Sequence, residues 1–286
     1  MHCLNPSFLK TIATKFAVFS TYICTASLAN RMILKNDLLR KDLLLIIILI
    51  LWEAFPRAGL INPVLLPAAS TVSIAILNLL ASGEMFMHIS ISLKRALAGF
   101  ILAVITMVPL GLAMGWFKNL EEITDRLVQA CRQTSALALF PMFILLFGIG
   151  ELSKVVIIFW ASLWPILLNT INGVKNVDTM MIKASISMGA SDRILLTKVL
   201  LPAAAPSIFT GIRLGASYAL MVLVAAEMIG ANSGLGFLII NSQEVFRIPD
   251  MYAAIFTLAV LGILINYLLI RMEKKITGWK EEIKYV

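Results

Sequence analysis

The stretch MGASDRILLTKVLLP, residues 188–202, separates two long apolar segments with a polar turn. It carries Asp192, Arg193 and Lys198 in a chain of which 60% of the residues are hydrophobic and 14% are charged. A soluble domain averages about 45–50% apolar and about 25% charged residues. The composition therefore favours a membrane protein in which this stretch is a loop between membrane-spanning segments.

Apolar runs on both sides of this loop approach the length of about 20 residues that a membrane-spanning helix needs. They predict an all-α polytopic membrane protein with about six transmembrane helices. The first run is the shortest, but its core, LLLIIILILW, is too apolar to be left in water. The predicted spans cover residues 43–55, 96–116, 134–150, 155–171, 209–229 and 251–270.

The net charge of +8 raises the alternative of a nucleic-acid-binding protein. With six spans and a cytoplasmic N-terminus, however, most of the 24 Lys and Arg residues fall in cytoplasmic segments, as the positive-inside rule expects. The distribution argues against a nucleic-acid partner. It predicts a multi-pass protein of the cell's inner membrane, embedded in the lipid bilayer, with both termini in the cytoplasm. Arg57, Lys94, Arg95, Lys154 and Arg247 are placed in the outer segments.

Cysteine and histidine usage argues against a metal site or a disulfide framework. Cys3, Cys24 and Cys131 are isolated and lack CxxC spacing, and His2 and His88 lie far apart. The chain also has no GxxxxGK[ST] pattern, so it cannot hold ATP through a phosphate-binding loop. We therefore expect no metal ion and no cofactor in this chain.

The chain is predicted to contain one membrane domain with short terminal extensions. Residues 1–41 form an N-terminal extension and cytoplasmic lead, residues 42–279 the transmembrane domain, and residues 280–286 a cytoplasmic tail. Translation from Met32 would remove most of the extension; a cleaved signal peptide and an extra membrane-associated segment are the alternatives. In the first outer loop, TVSIAILNLLASGE at 71–84 is predicted as a short amphipathic helix at the membrane interface.

The residues around the opening stretch predict two helices joined by a tight turn. Asp178 can cap a first helix at about 179–188, because its carboxylate accepts the free N–H groups of the first turn. Gly189 suits the left-handed position at which many helices end. Ser191 can then cap a second helix, with Asp192 favourably placed at its positive end.

The second helix is predicted to run to Leu201, and Pro202 then stops it or kinks the entry into the next span. Helices this short are marginal in isolation, so they need something to pack against. From spacing alone, two interpretations remain open. The segment is an ordinary loop resting on its own spans, or it is a docking element for a cytoplasmic partner.

The pattern Ala184-x4-Gly189-x9-Val199-x-Leu201-Pro202 resembles the EAA loop of binding-protein-dependent ABC importer permeases, usually Glu-Ala-Ala-x3-Gly-x9-Ile-x-Leu-Pro. Three further stretches are similar to the nitrate/sulfonate/taurine branch of that family: SLKRALAGFILAVITMVPLGLAMG, FPMFILLFGIGELSKV and GIRLGASYALMVLVAAEMIGANSGLGFLI. The resemblance implies the type I ABC importer (MetI-like) permease fold.

In this family the EAA loop is a coupling helix that lies in a groove of a separate ATPase subunit. The resemblance implies that role for the loop 178–202, which here carries Lys183 where the motif has Glu. A second departure is Ser135, where the branch often has a proline that would bend the span. The implied coupling residues are Lys183, Ala184, Ser185, Gly189, Ala190, Ser191, Asp192, Leu201 and Pro202.

The resemblance also implies partners: cytoplasmic ABC ATPase subunits that bind ATP-Mg, an extracytoplasmic solute-binding protein, and a second permease copy, expected to form a homodimer. ATP hydrolysis would belong to a partner, so the chain itself is not expected to be an enzyme. Closure of the ATPases would move the coupling helices and switch the spans between inward-facing and outward-facing states.

Glu227 lies near the outer end of its predicted span, followed by Ser233 and Gly234 in the glycine-rich turn GANSGLG. A carboxylate within a membrane usually faces a protein interior or a cavity. These three residues are candidates for the translocation path or an outer gate, in which Glu227 lines the gate or orients the turn. The alternative is that Glu227 is hydrated at the interface. Arg213 lies about 21 Å away along a helix, so it is expected at the inner interface instead.

The leading functional hypothesis is the permease subunit of an ATP-driven importer for a small solute. In the branch that the chain resembles, substrates are often small anions such as nitrate, sulfonates or taurine. The alternative is a secondary transporter or channel that works without an ATPase, which would favour more intramembrane charges and inverted repeats. A membrane enzyme would need a cluster of reactive side chains that the spans do not contain.

Overall fold

The computed structural model describes residues 37–59 and 61–276, without the side chains of residues 37–42, 44 and 45. The predicted N-terminal extension, apart from its end, and the predicted tail lie outside the described residues. The described part of the chain is helical and contains no strand. Its helices are α1 (Asp37–Arg57), α2 (Ala69–Ala81), α3 (Glu84–Trp116), α4 (Lys118–Gln133), α5 (Ala136–Phe147), α6 (Glu151–Lys175), α7 (Thr179–Ser187), α8 (Asp192–Gly230), α9 (Leu235–Glu244) and α10 (Ile248–Ile276).

The chain divides into two compact units, of which the first ends at Ser70. Within that unit, the segment that follows α1 folds back onto the helix. Glu53 accepts hydrogen bonds from the backbone N–H of Ser70 at 3.0 Å and from its hydroxyl at 2.9 Å. The indole of Trp52 donates to the carbonyl of Pro67 at 3.1 Å. These contacts explain why this proline-containing segment keeps a defined path.

Within the described residues, four helices are long and apolar enough to cross a membrane: α3, α6, α8 and α10. A fifth span results if α4 and α5, which meet at 95°, are counted together. The remaining predicted span, 43–55, is the first in the chain. It lies in α1, which is not among the four helices that meet this length and hydropathy requirement. Its uncharged core of about ten residues covers about 15 Å, less than the ~30 Å hydrocarbon thickness.

The predicted span 134–150 corresponds to α5, which is shorter than predicted and follows a bend. Thr134 and Ser135 have extended backbones, with ψ of 122° and 124°, and they separate α4 from α5. Alone, the 12 residues of α5 cover about 18 Å. The chain therefore bends at Ser135 without the proline that the resemblance associates with this position.

Helix α3 begins at Glu84, well before the predicted start of its span at residue 96. The prediction from hydropathy began the span after Lys94 and Arg95 because these residues are charged. The helix continues through these residues because His88, Ser92 and Arg95 are buried and have partners elsewhere in the fold.

Helix α6 packs against both α3 and α8 and forms the centre of the second unit. Ile157, Ile158 and Ile166 on this helix are fully buried. The crossings need small residues: a Cβ on Gly99 of α3 would lie 2.7 Å from the carbonyl oxygen of Val155. Close approach at small residues is how membrane helices gain packing contacts, since lipid supplies no hydrophobic drive between them.

The helix that starts at Asp192 does not end at Leu201, as predicted, but continues to Gly230. Pro202 has no N–H and its ring would clash with the carbonyl four residues earlier in a regular α-helix. The preceding segment Leu195–Leu200 is accordingly π-helical, and the N–H of Leu201 donates to the carbonyl of Leu196. A widened turn of this kind accommodates the proline without breaking the helix.

Candidate functional site

The loop 178–202 has the local geometry that its sequence predicts at both ends of α7. The carboxylate of Asp178 accepts a hydrogen bond from the N–H of Met180 at 2.8 Å. Gly189 has φ +81°, and its N–H donates to the carbonyl of Ile186 at 2.9 Å. The N–H of Ala190 donates to the carbonyl of Ser185 at 3.1 Å. This paired pattern is a Schellman C-cap, so α7 has a fixed beginning and end.

One detail of the predicted loop differs. Ser191 occupies the N-cap position of α8 with an extended backbone, but its side chain makes no capping hydrogen bond. Of the proposed coupling residues, Ser185, Ala190 and Pro202 are half-buried. The others are exposed: Lys183, Ala184, Gly189, Ser191, Asp192 and Leu201.

Helix α7 touches the rest of the fold mainly through Ile182, which packs against a cluster that includes Val174, Val177 and Leu200. No residue of α7 is fully buried. Large apolar side chains at its surface are strongly exposed, with Met180 at 69% and Met188 just beyond its end at 80%. The described residues thus present an ordered helix with an uncovered apolar surface, a feature that marks interaction sites.

The second site surrounds Glu227 on α8, whose side chain is completely buried. Its carboxylate accepts hydrogen bonds from the hydroxyl of Ser92, 2.8 Å and 2.9 Å from its two oxygens, from Nη1 of Arg95 at 2.8 Å, and from the N–H of Gly236 at 2.9 Å. The hydrated alternative for Glu227 does not agree with this burial. The carboxylate thus contacts the helix start that follows the glycine-rich turn.

The sequence did not predict Ser92, Arg95, Glu151 or Lys154 as part of this site; Arg95, the most connected of them, was placed in a loop. Its side chain is 4% exposed. Nε and Nη2 each donate to a carboxylate oxygen of Glu151 at 2.6 Å, while Nη1 also donates to the carbonyl of Ser233 at 2.6 Å. A sequence signal was present: His88, Ser92 and Arg95 are spaced four and three apart, which places them on one helix face.

The turn between α8 and α9 is held by three consecutive backbone N–H groups. Gly234 donates to Nδ1 of His88 at 2.9 Å, Leu235 donates to the hydroxyl of Ser92 at 2.8 Å, and Gly236 donates to Glu227. The first N–H groups of a helix have no intrahelical acceptor, so α3 and α8 supply acceptors for α9. Since Nδ1 of His88 accepts, a neutral His88 carries its proton on Nε2.

Lys154 on α6 adds a second buried cation next to Glu151. Its side chain is 4% exposed, and Nζ donates to the carbonyl of Gly150 at 3.0 Å and lies 3.9 Å from Glu151. Two cations therefore face two carboxylates in what we call the buried ionic network, formed by Ser92, Arg95, Glu151, Lys154 and Glu227. Glu151, whose side chain is 65% exposed, lies at its edge, and the other four are buried. Buried charges are tolerated when they are paired and hydrogen-bonded in this way.

Arg213 belongs to a different contact. It lies 3.1 Å from Glu273 and so connects α8 with α10. Among the described residues, no group of three or more His, Cys, Asp or Glu side chains is arranged to hold a metal ion.

Residues 106–277 match the family described as "Binding-protein-dependent transport system inner membrane component". The chain belongs to this family. An ABC transporter permease protein of Methanocaldococcus jannaschii is 36% identical over 254 residues, which cover 87% of this chain and 95% of the relative. The chain is accordingly an inner membrane permease component of an ABC importer.

Two further relatives have names that include a substrate. An aliphatic sulfonates transport permease protein (SsuC) of Bacillus subtilis is 33% identical, covering 82% of this chain and 85% of the relative. The taurine transport system permease protein (TauC) of Escherichia coli is 32% identical, covering 84% of this chain and 89% of the relative.

A solved structure of the methionine ABC transporter MetNI, in an inward-facing conformation, aligns with a TM-score of 0.59 at 20% identity. The alignment covers 65% of this chain and 93% of the matched chain. At this identity the match concerns the fold alone. It shows the type I importer permease fold that the EAA-like loop implies.

Proposed function

We propose that this ABC importer permease carries a small organic solute with an acidic group, such as an alkanesulfonate or taurine, and that the loop 178–202 couples it to a separate ATPase. The observation that carries the coupling proposal is the exposure of α7. This helix is capped at both ends and anchored by Ile182, yet its apolar side chains have no cover among the described residues. A cytoplasmic ATPase that binds ATP-Mg would cover them.

Helix α8 provides the mechanical connection from this loop to the buried ionic network. It runs without interruption from Asp192, next to the coupling turn, to Gly230, beyond Glu227. Its 39 residues extend about 58 Å. Movement of α7 with the ATPase would displace this rod and act on the turn that Glu227, Ser233 and Gly234 form with α3. We assign these three residues to the outer gate.

The charge at Lys183 changes how the docking would work. Lys183 and Ala184 are both exposed. With Lys in the position of the motif's Glu, the contact would depend on close approach at the small Ala184 and on the exposed methionines. A salt bridge through an acidic residue at this position is not available.

The substrate class is supported by the names of the two relatives, which refer to aliphatic sulfonates and to taurine. The complete importer would contain two copies of this permease, two ATPase subunits and an extracytoplasmic solute-binding protein. Both termini of the permease would lie in the cytoplasm, consistent with the basic residues between α6 and α8 and near the end of α10.

The proposal is tested by purifying the tagged chain from native membranes in mild detergent and identifying co-purifying proteins by mass spectrometry. We expect an ABC ATPase, and ATP-dependent uptake of taurine or ethanesulfonate when the complex and its binding protein are reconstituted. Ala184→Trp and Gly189→Pro should abolish uptake without preventing membrane insertion. Ala81→Trp, at an exposed alanine of α2, is the matched control and should transport normally.

Two results would contradict the proposal. Normal uptake in both loop variants would remove the coupling role from α7. A homogeneous species without an ATPase in several detergents would favour a secondary transporter or channel.

A further inference from the structure

A cavity of about 570 Å³ opens where the chain bends between α4 and α5. Residues 132–135 form one wall, and α6 and α8 form the others through Trp160, Trp164, Asn169 and Tyr218. Cavities that bind small molecules commonly measure about 300–1,000 Å³. The space is therefore sufficient for a small organic solute together with water.

The cavity lies at the middle of the spans. Trp160 and Pro165, which both line it, are each about 15 Å from the nearer end of α6, and the hydrocarbon core is about 30 Å thick. Thr134 and Ser135, whose backbones are extended, line the same cavity, so we place them at a similar depth. Non-helical backbone is tolerated there only when it is buried in protein or lines a water-filled cavity. The cavity thus explains why the non-helical bend at Thr134 and Ser135 is tolerated within the spans.

The charge on the described residues that line the cavity is positive. Arg132 contributes a guanidinium, and the described residues that line the cavity include no Asp or Glu. Gln133, Thr134, Ser135 and Asn169 add neutral polar groups. A charged side chain at mid-membrane depth is costly and usually marks a solute or ion pathway. This wall attracts an anion and repels a cation.

The walls that α6 and α8 contribute are partly aromatic. Trp160 and Trp164 pack edge to face, with ring centroids 5.2 Å apart and an interplanar angle of 82°. Tyr218 extends this surface from α8 and is 47% exposed. A lining that combines a cation with aromatic rings matches a solute with an acidic head and a short carbon body.

We propose that this cavity is a binding compartment for the transported organic anion, in which Arg132 faces the acidic group and Trp160, Trp164 and Tyr218 contact the carbon body. The inference rests on the proposed function, because it takes the solute to be an organic anion in transit. A site on a conduction path must hold its solute weakly enough to release it. Binding here is accordingly weak, and the permease itself selects for negative charge.

The test is thiol labelling of the full-length chain in lipid nanodiscs. Cys3, Cys24 and Cys131 are replaced by Ser, and Ser135→Cys or Thr134→Cys introduces a single thiol. Its rate of reaction is compared between 2-sulfonatoethyl methanethiosulfonate, an anion, and 2-(trimethylammonio)ethyl methanethiosulfonate, a cation. In both reactions the thiolate attacks the reagent, a disulfide forms and methanesulfinate leaves.

We expect Arg132→Gln to lower the anion-to-cation rate ratio about tenfold and Arg132→Lys to restore most of it. Arg126→Gln is the matched control, since Arg126 is an exposed arginine of α4 outside the cavity lining. It should leave the ratio within about twofold, because exposed charges are screened by salt. Ethanesulfonate at tens of millimolar should slow the labelling, whereas ethyl methyl sulfone, which is neutral, should not.

An unchanged ratio in Arg132→Gln, equal protection by the neutral sulfone, or the absence of labelling at both positions would overturn the inference. The measurement needs neither an ATPase nor a binding protein. Charge-selective protection without ATP-driven uptake would refute the proposed function alone. Intact uptake with no charge selectivity would refute the cavity assignment alone.

Discussion

Arg95 and Glu227 form an ion pair of 2.8 Å between α3 and α8, and both side chains are almost completely excluded from solvent. The pair is not isolated, because Arg95 also binds Glu151 of α6 and the carbonyl of Ser233. One guanidinium thus joins three membrane-spanning helices to the glycine-rich turn. Any movement of the end of α8 that contains Glu227 must either break these contacts or move Arg95 and its other partners with it.

Neutralising both members of this pair should cost less stability than the two single neutralisations added together. Glu227→Gln leaves Arg95 buried with a weaker partner, and breaking a buried pair costs about 3–5 kcal/mol. We expect a large drop in the thermal unfolding midpoint of the purified chain. Because the two sites interact directly, the double variant Arg95→Gln/Glu227→Gln should lose less stability than the two single variants added together.

The control for this cycle is Lys118→Gln. Lys118 lies 3.6 Å from Glu122, and both side chains are mostly exposed. Exposed pairs contribute little, so the unfolding midpoint should not change measurably. Additive effects of the Arg95 and Glu227 substitutions would show that the pair does not act as a unit.

Gly234→Ala should destabilise the turn beyond the backbone strain of the substitution. Gly234 has φ +115° and ψ 167°, a region that is essentially restricted to glycine. A Cβ there would also collide with the carboxylate of Glu227. Gly148→Ala is a matched control, since Gly148 has φ +79° and ψ 170° but no atom within 4 Å of an added Cβ. Equal losses of folded protein in size-exclusion profiles would refute the role of the collision.

Ser92→Ala should cost about 1–3 kcal/mol, a large effect for the loss of one hydroxyl. The hydroxyl donates to Glu227 and accepts from the N–H of Leu235 at 2.8 Å, so its removal leaves two buried groups without this partner. Ser90→Ala is the comparison, because the exposed hydroxyl of Ser90 bonds only to the carbonyl of Met87 on its own helix. Thermal unfolding of the two variants side by side measures the difference; similar midpoints would contradict the prediction.

The features that could be predicted from the sequence are local in the chain. Asp178 and Gly189 cap α7 through hydrogen bonds to residues at most five positions away, so their residue types alone indicate the geometry. The contacts of Glu227 could not be predicted in this way. Arg95 is 132 positions earlier, and its placement depends on the packing of α3 against α6 and α8.

Hydropathy also misplaced elements where polar residues are buried by partners. It placed the start of the first long span at residue 96, although α3 begins at Glu84. His88, Ser92 and Arg95 in the omitted part find hydrogen-bond partners on α6, α8 and the turn. It also assigned residues 134–150 to one span, whereas α5 covers only Ala136–Phe147, because the side chains of Thr134 and Ser135 do not reveal their extended backbone. Both errors arise because a hydropathy window cannot detect tertiary partners.

The anchoring of α7 can be tested without any ATPase. Ile182 is the side chain through which α7 packs on the cluster of Val174, Val177 and Leu200, whereas Ile186 is 56% exposed. Ile182→Ala should therefore increase amide hydrogen exchange throughout α7, because local opening is easier where few apolar contacts hold an element. Ile186→Ala removes the same atoms from the exposed face and should leave exchange unchanged. Equal protection of α7 in both variants would mean that its two caps hold it without Ile182.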